Sequence, residues 1–287
     1  NKSDSRKTIE NLSKLIEDKS FIGGEEVKKF QENFSKFNES KYCLGVANGT
    51  DALEIALESL DIPKNSEVIV PNFTFLSPAE AVVRGGYKLV LADINLDDFT
   101  ISIESLKKLI TKKTSALIVV HLFGNPCDMT ELVKICSEHK LLLIEDCCES
   151  MGAMYDDKSV GSFGDVSTFS FYFSHHITSL EGGITVTNSS EIADLMKVQR
   201  SHGWTRDIDS NKYIDVDASI DSRFTFMDLG YNLRMTEVQA AIGYKQLDRL
   251  SDIVSIRRKN DQDLKKYFLK YVDYFSLQEE THNSRSS

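Results

Sequence analysis

The stretch LLLIEDC (residues 141–147) runs four apolar residues into two acids, Glu145 and Asp146, and then into the cysteine pair Cys147 and Cys148. A short apolar run bounded by polar residues reads as a buried strand. Working outward, SALIVVHLFG (115–124) is a second such run, and CDMTELVKICSEH (127–139) between the two has helical spacing. Further back, DALEIALESL (51–60) reads as a helix, EVIVP (67–71) as a strand, the segment after Ser77 as a helix, KLVLAD (88–93) as a strand and SIESLKKLI (102–110) as a helix. Ahead lie two more strands, VSTFSFYF (166–173) and GGITVT (182–187). Helices follow in EIADLMKVQRS (191–201), MTEVQAAIGYKQLDRL (235–250) and the charged run after Asp252. Strands alternating with helices, with few polar interruptions, predict an α/β fold around a mostly parallel sheet covered on both faces.

The 287 residues carry a formal net charge of -10, with 41% hydrophobic and 27% charged residues. That composition suits a soluble globular protein able to bury a core without staples. The negative balance argues against a nucleic-acid footprint, which needs a clustered basic face. It leaves room for an anionic small ligand, because phosphate sites are built locally from backbone N–H groups and helix starts. The five cysteines are odd in number and form no CxxC pair, as expected of reduced thiols in a cytoplasmic protein. No apolar run reaches the roughly 18 residues of a membrane span, and the polar first residues lack a signal-peptide core. Residues 205–222 read as an exposed loop, and the final THNSRSS as a frayed end. Thr236 stands where an N-cap belongs, but with Glu237 only one residue on, it is not read as a capping box.

In open parallel sheets ligands sit at the carboxyl ends of the strands. Chemistry-bearing residues cluster there: residues 48–50, 73–75, 146–149 and 170–176. Asn48-Gly49-Thr50 precedes a helix, where glycine permits close approach and free N–H groups favour an anion; a plain N-cap is the alternative. Asp146 at the end of a buried strand needs a partner, either a protonated pyridine nitrogen or an arginine. In FSFYFSHHITSLEGG (169–183) two adjacent histidines follow a strand and precede a glycine turn. No third ligand stands at a usual metal spacing, so no metal is expected, and the histidines suit acid–base work.

Taken in order, FIGGEEVKKFQENF, GVANGTDALEIAL, EVIVPNFTFLSPAEAV, VVHLFGNPCDM, LIEDCCESMGA, GSFGDVSTFSF, EGGITVT and GYNLRMTEVQAAIG resemble the DegT/DnrJ/EryC1/StrS sugar aminotransferase family. The resemblance covers nearly the whole chain. It implies the large domain of a fold-type I enzyme of the aspartate-aminotransferase type, using pyridoxal 5'-phosphate or pyridoxamine 5'-phosphate, over residues 1–250. Residues 251–287 would then begin a smaller C-terminal domain. The resemblance also implies roles. Gly49, Thr50 and Ser170 hold the cofactor phosphate, and Phe75 stacks on the pyridine. Asp146 pairs with the ring nitrogen, and Glu149 lies near the ring hydroxyl. Asn232 reaches the cofactor phosphate of a neighbouring subunit, which implies a homodimer with shared sites.

The departure is at the catalytic position. Family aminotransferases carry a Schiff-base lysine five residues after that serine; here the residue is His175, and no lysine lies between Lys158 and Lys197. Without an amine there is no imine to the protein. HHITSLEGG resembles the subset in which histidine replaces that lysine, the 3-dehydratases of 4-keto-6-deoxy nucleotide sugars. That subset has a branch with an iron–sulfur cluster and one without. No cysteine follows Cys148, so four thiolates cannot gather after HGWTRDIDS (202–210), and the cluster-free branch, recharged by glutamate, is the better match. The alternatives are an aminotransferase of the same family and a non-catalytic relative that binds cofactor or nucleotide sugar.

Overall fold

The computed structural model describes residues 2–214 and 221–287. Helices α1 (Lys2–Glu17) and α2 (Glu25–Asn38) lead into β1 (Tyr42–Val46) and α3 (Gly49–Glu58). Then come β2 (Glu67–Pro71), α4 (Ser77–Arg84), β3 (Lys88–Ala92), α5 (Ile103–Leu109), β4 (Thr114–Val120), α6 (Met129–His139) and β5 (Leu142–Asp146). A small hairpin, β6 (Met154–Tyr155) with β7 (Lys158–Ser159), precedes β8 (Val166–Ser170) and β9 (Gly183–Thr187). The chain continues through α7 (Ser190–Arg200), α8 (Glu237–Leu247) and α9 (Leu250–Phe268) to β10 (Ser284–Arg285).

The main sheet has seven strands in the order β1-β9-β8-β5-β4-β2-β3. Strand β9 runs antiparallel to both β1 and β8, and the remaining pairings are parallel. Alternation along the strands sends side chains to two faces. Val68, Val70, Ala116, Ile118 and Ile144 pack against Leu53, Ile55 and Leu57 of α3. Ile69, Leu117, Val119 and Leu143 pack against Leu106 of α5 and Leu132 and Ile135 of α6. A third cluster joins Phe30 and Phe34 of α2 to Phe169, Phe171, Ala240 of α8 and Leu250 and Val254 of α9. This is the mostly parallel, two-faced sheet that the helix–strand alternation predicts.

The strand ends decide where chemistry can sit. Val120, Asp146 and Ser170 close β4, β5 and β8 at one edge, and the parallel register puts Val120 beside Asp146. On β5 the alternation turns Glu145 to the α5–α6 side and Asp146 to the α3 side.

Two expectations are corrected. Thr236 does open a capping box: its hydroxyl accepts the Gln239 N–H, and the Gln239 side chain accepts the Thr236 N–H. The partner is the residue three on, a glutamine, which serves the box as well as glutamate does. The last residues are also not frayed. Ser284 and Arg285 pair with Tyr155 and Met154, Arg258 donates to the Ser286 carbonyl, and Ser287 packs against Gly124. The expected loop at 205–222 contains the short turn Ser210–Lys212, and its part at 215–220 lies outside the described residues. Among the described residues no helix is long and apolar enough to cross a membrane.

Candidate active site

The start of α3 forms one wall. Asn48 caps the helix by accepting the Asp51 N–H at 2.9 Å and donating to the Asp51 carboxylate at 2.8 Å. The N–H groups of Gly49 and Thr50 belong to the first turn, where a helix supplies no carbonyl partner. The Thr50 and Ser77 hydroxyls meet at 2.7 Å and tie the start of α3 to that of α4. Ser170, buried at the end of β8, abuts Gly49: a Cβ on Gly49 would lie 2.7 Å from Ser170 Cβ. Only glycine lets these two elements meet so closely.

Asp146 forms the floor. It is 6% exposed, accepts the Cys148 N–H at 3.1 Å, and has no ion-pair partner among the described residues. Burial pushes its carboxyl above the ordinary value; Cys148 pulls the other way and Glu149 adds to the push. A buried acid of this kind, open to a cavity, is a receptor for a positive charge brought from outside. Phe75 overhangs the same cavity with its ring 73% exposed.

His175 lies opposite on the loop after β8, and its backbone N–H donates to the Tyr172 carbonyl at 3.1 Å. Burial holds the imidazole below its ordinary value; Glu149 opposes this and Arg257 reinforces it. The ring is therefore neutral at neutral pH and able to accept a proton. Glu149 is itself fixed, its Oε2 accepting the Phe123 N–H at 2.9 Å. The neighbouring His176 points away, 6% exposed, and is pulled down to about 4, chiefly by burial.

Gly49, Thr50, Phe75, Asp146, Glu149, Ser170 and His175 thus all line one cavity of about 680 Å³. Asn232 does not. It is exposed on the segment before α8, where its side-chain oxygen accepts from Arg234 at 2.8 Å. Cys148 and Tyr172, within the stretches expected to carry chemistry, and Glu181, at the glycine turn, also line the cavity, as do Asp51 and Ser77, which lie outside those stretches. Asp51 had a legible signal, standing three residues after Asn48 at a helix start. For Ser77 there was none, because long-range packing brings it in.

Residues 2–287 match the model of the DegT/DnrJ/EryC1/StrS aminotransferase family. The chain belongs to that family. It is 37% identical over 285 residues to the GDP-4-keto-6-deoxy-D-mannose 3-dehydratase of Escherichia coli, covering 95% of this chain and 72% of that one. It is 38% identical over 235 residues to the GDP-perosamine synthase of Vibrio cholerae, covering 82% of this chain and 60% of the synthase. A solved structure of the E. coli GDP-4-keto-6-deoxy-D-mannose-3-dehydratase, with bound hydrated PLP, superposes with a TM-score of 0.87 at 34% identity, covering 96% of this chain and 73% of that one.

Proposed function

We propose that this family member is a pyridoxal/pyridoxamine 5'-phosphate-dependent 3-dehydratase of a nucleotide-linked 4-keto-6-deoxyhexose, acting in deoxysugar synthesis in the cytoplasm. The carrying observation is His175: an imidazole lines the cavity where the family resemblance calls for a lysine, and among the described residues no lysine lines that cavity.

The residues present fit the cofactor. Asp146 is a buried acid without a cation, suited to a protonated ring nitrogen. The glycine contact at Gly49, with Thr50 and Ser170 around it, leaves a cradle of small donors for a phosphate. Phe75 offers an uncovered ring for stacking. Glu149, lining the same cavity, would supply a polar group for the ring hydroxyl. When bound as pyridoxamine phosphate, the cofactor supplies an amine for the sugar's C4 ketone and a ring that withdraws electrons. With the cofactor bound, His175 would serve as the acid–base group, its imidazole able to accept a proton and to return one as the C3 hydroxyl leaves. Histidine suits both directions and, unlike lysine, cannot hold the cofactor as an imine. Asn232, outside the lining of this chain's own cavity, would serve the neighbouring subunit's phosphate in a homodimer, and glutamate would restore the pyridoxamine form.

The test is product analysis combined with borohydride trapping. A 3-deoxy sugar with released ammonia, and a cofactor that borohydride does not fix to protein, is the expected result. An amino sugar product, or a covalent adduct to a lysine, would replace this reading with the aminotransferase one.

A further inference from the structure

We propose that the buried pair His121–Glu145 is a positioning device for the reacting groups, clasping loop 121–127 so that the Phe123 N–H fixes Glu149 in place beside His175. This rests on the reading of His175 as the proton-moving residue.

Glu145 and His121 are completely buried. Glu145 Oε2 meets His121 Nε2 at 3.2 Å, and its carboxylate also accepts the N–H groups of Gly161, Phe163 and Gly164 at 2.8, 2.7 and 2.6 Å, and the Ser167 hydroxyl at 3.3 Å. On the other side of the imidazole, the Cys127 N–H donates to Nδ1 at 3.0 Å. That bond assigns the ring proton to Nε2, pointing at Glu145. His121, Glu145 and Cys147 gather close enough to hold a metal ion, but these hydrogen bonds already occupy the histidine and the carboxylate. The group therefore reads as a clasp.

The clasp closes a loop. His121 opens it, Cys127 ends it on the ring of His121, and the His121 N–H donates to the Asp146 carbonyl at 3.2 Å. At the tip Phe123 has φ 57° and ψ 23°, a left-handed conformation that costs a non-glycine residue about 1–3 kcal/mol. A strained residue keeps its place only where its surroundings over-determine it. Here the strain aims the Phe123 N–H at Glu149 Oε2, 2.9 Å away. Two charged groups act on His175: Glu149, which raises its affinity for a proton, and Arg257 of α9, which lowers it. Loosening the loop should free Glu149 and leave Arg257 and burial in control.

The experiment is a histidine NMR titration of the whole chain, with the His175 signal assigned by its loss in H175N. It compares the parent with H121F, H121Q and E149Q. H121F removes both ring contacts; H121Q carries its donor and acceptor on one carbon and so cannot span Glu145 and the Cys127 N–H as the ring does. We expect H121F to move the His175 midpoint down by about half a pH unit, E149Q to move it in the same direction, and the double variant to show no further shift. H121Q should fall between parent and H121F. A lowered melting temperature with the His175 midpoint unmoved would overturn the proposal, since a core role alone disturbs stability and nothing else. If H121F does not fold, the same comparison on H121Q decides. The titration needs neither cofactor nor substrate, so a parent chain without dehydratase activity would count against the proposed function and leave this result standing.

Discussion

Gly49 and Ser170 are in such close contact that a Cβ on Gly49 would lie 2.7 Å from Ser170 Cβ and 2.9 Å from its Oγ. The start of α3 therefore rests directly on the end of β8, and the two together form the proposed phosphate cradle. Gly49→Ala must displace either the first turn or the serine. We expect pyridoxal phosphate affinity to drop at least tenfold, roughly 1.4 kcal/mol, with a stability loss of about 1–3 kcal/mol from overpacking. Fluorescence titration of the cofactor reads the first effect and denaturant melts the second; unchanged affinity would remove the cradle from this position.

His175 sets the pH dependence. Its imidazole is held below the ordinary value of 6.5, first by burial, with Glu149 opposing and Arg257 adding to the effect. The proton-accepting neutral form is thus present at neutral pH and lost only as pH falls through the lowered value. The acid limb of kcat/KM is expected below pH 6.5. Glu149→Gln should carry it lower still, and Arg257→Ala should bring it up. His175→Asn should abolish turnover while cofactor binding persists. An acid limb that ignores both charge changes would mean that another group carries the proton.

Glu237 is a structural acid outside the cavity lining. Fully buried, it accepts the N–H groups of Gly24, Glu26 and Val27 at 2.9, 2.8 and 3.3 Å, and so pins the start of α2 to α8. Glu237→Ala leaves three donors without a partner and should cost about 3 kcal/mol or more. Thr236→Ala, which opens the capping box, should cost about 1 kcal/mol. Urea unfolding measures both. Cofactor affinity of the folded variants should stay at the parent level, and a large fall in it would show that α8 is coupled to the site.

The sheet was legible because several of its strands are short apolar runs ended by proline or acids, as residues 67–71, 88–93 and 142–146 are. The cavity was legible where a residue stands at a strand end or a helix start, as Gly49, Asp146 and Ser170 do. Contacts made by packing were not legible. Nothing in the sequence announces that Ser77 meets Thr50, or that Phe123 turns left-handed to hold Glu149. The two acids of residues 145–146 carry a subtler lesson. Adjacent on one strand, they face opposite sides, so one enters a buried clasp and the other the cavity. Asn232 shows the reverse case, since its proposed role requires a second subunit.

Asp146 gives the sharpest separation between the empty chain and the cofactor-bound one. Burial raises its carboxyl above the ordinary value, so the folded chain holds that proton more tightly than the unfolded chain does. The associated stability is present at acid pH and is lost as pH rises through the folded value. Above that value the ionised acid weakens the cofactor-free protein, and at pH 7.5 Asp146→Asn, which cannot ionise, should melt at a higher temperature than the parent. The difference should shrink toward pH 4. Adding pyridoxal phosphate reverses the order, because the amide no longer offers a charge to the ring nitrogen. The cofactor-induced rise in melting temperature should be clearly smaller in D146N. Thermal melts at the two pH values, with and without cofactor, read all four states. An equal cofactor-induced rise in both proteins would mean that Asp146 does not face the ring.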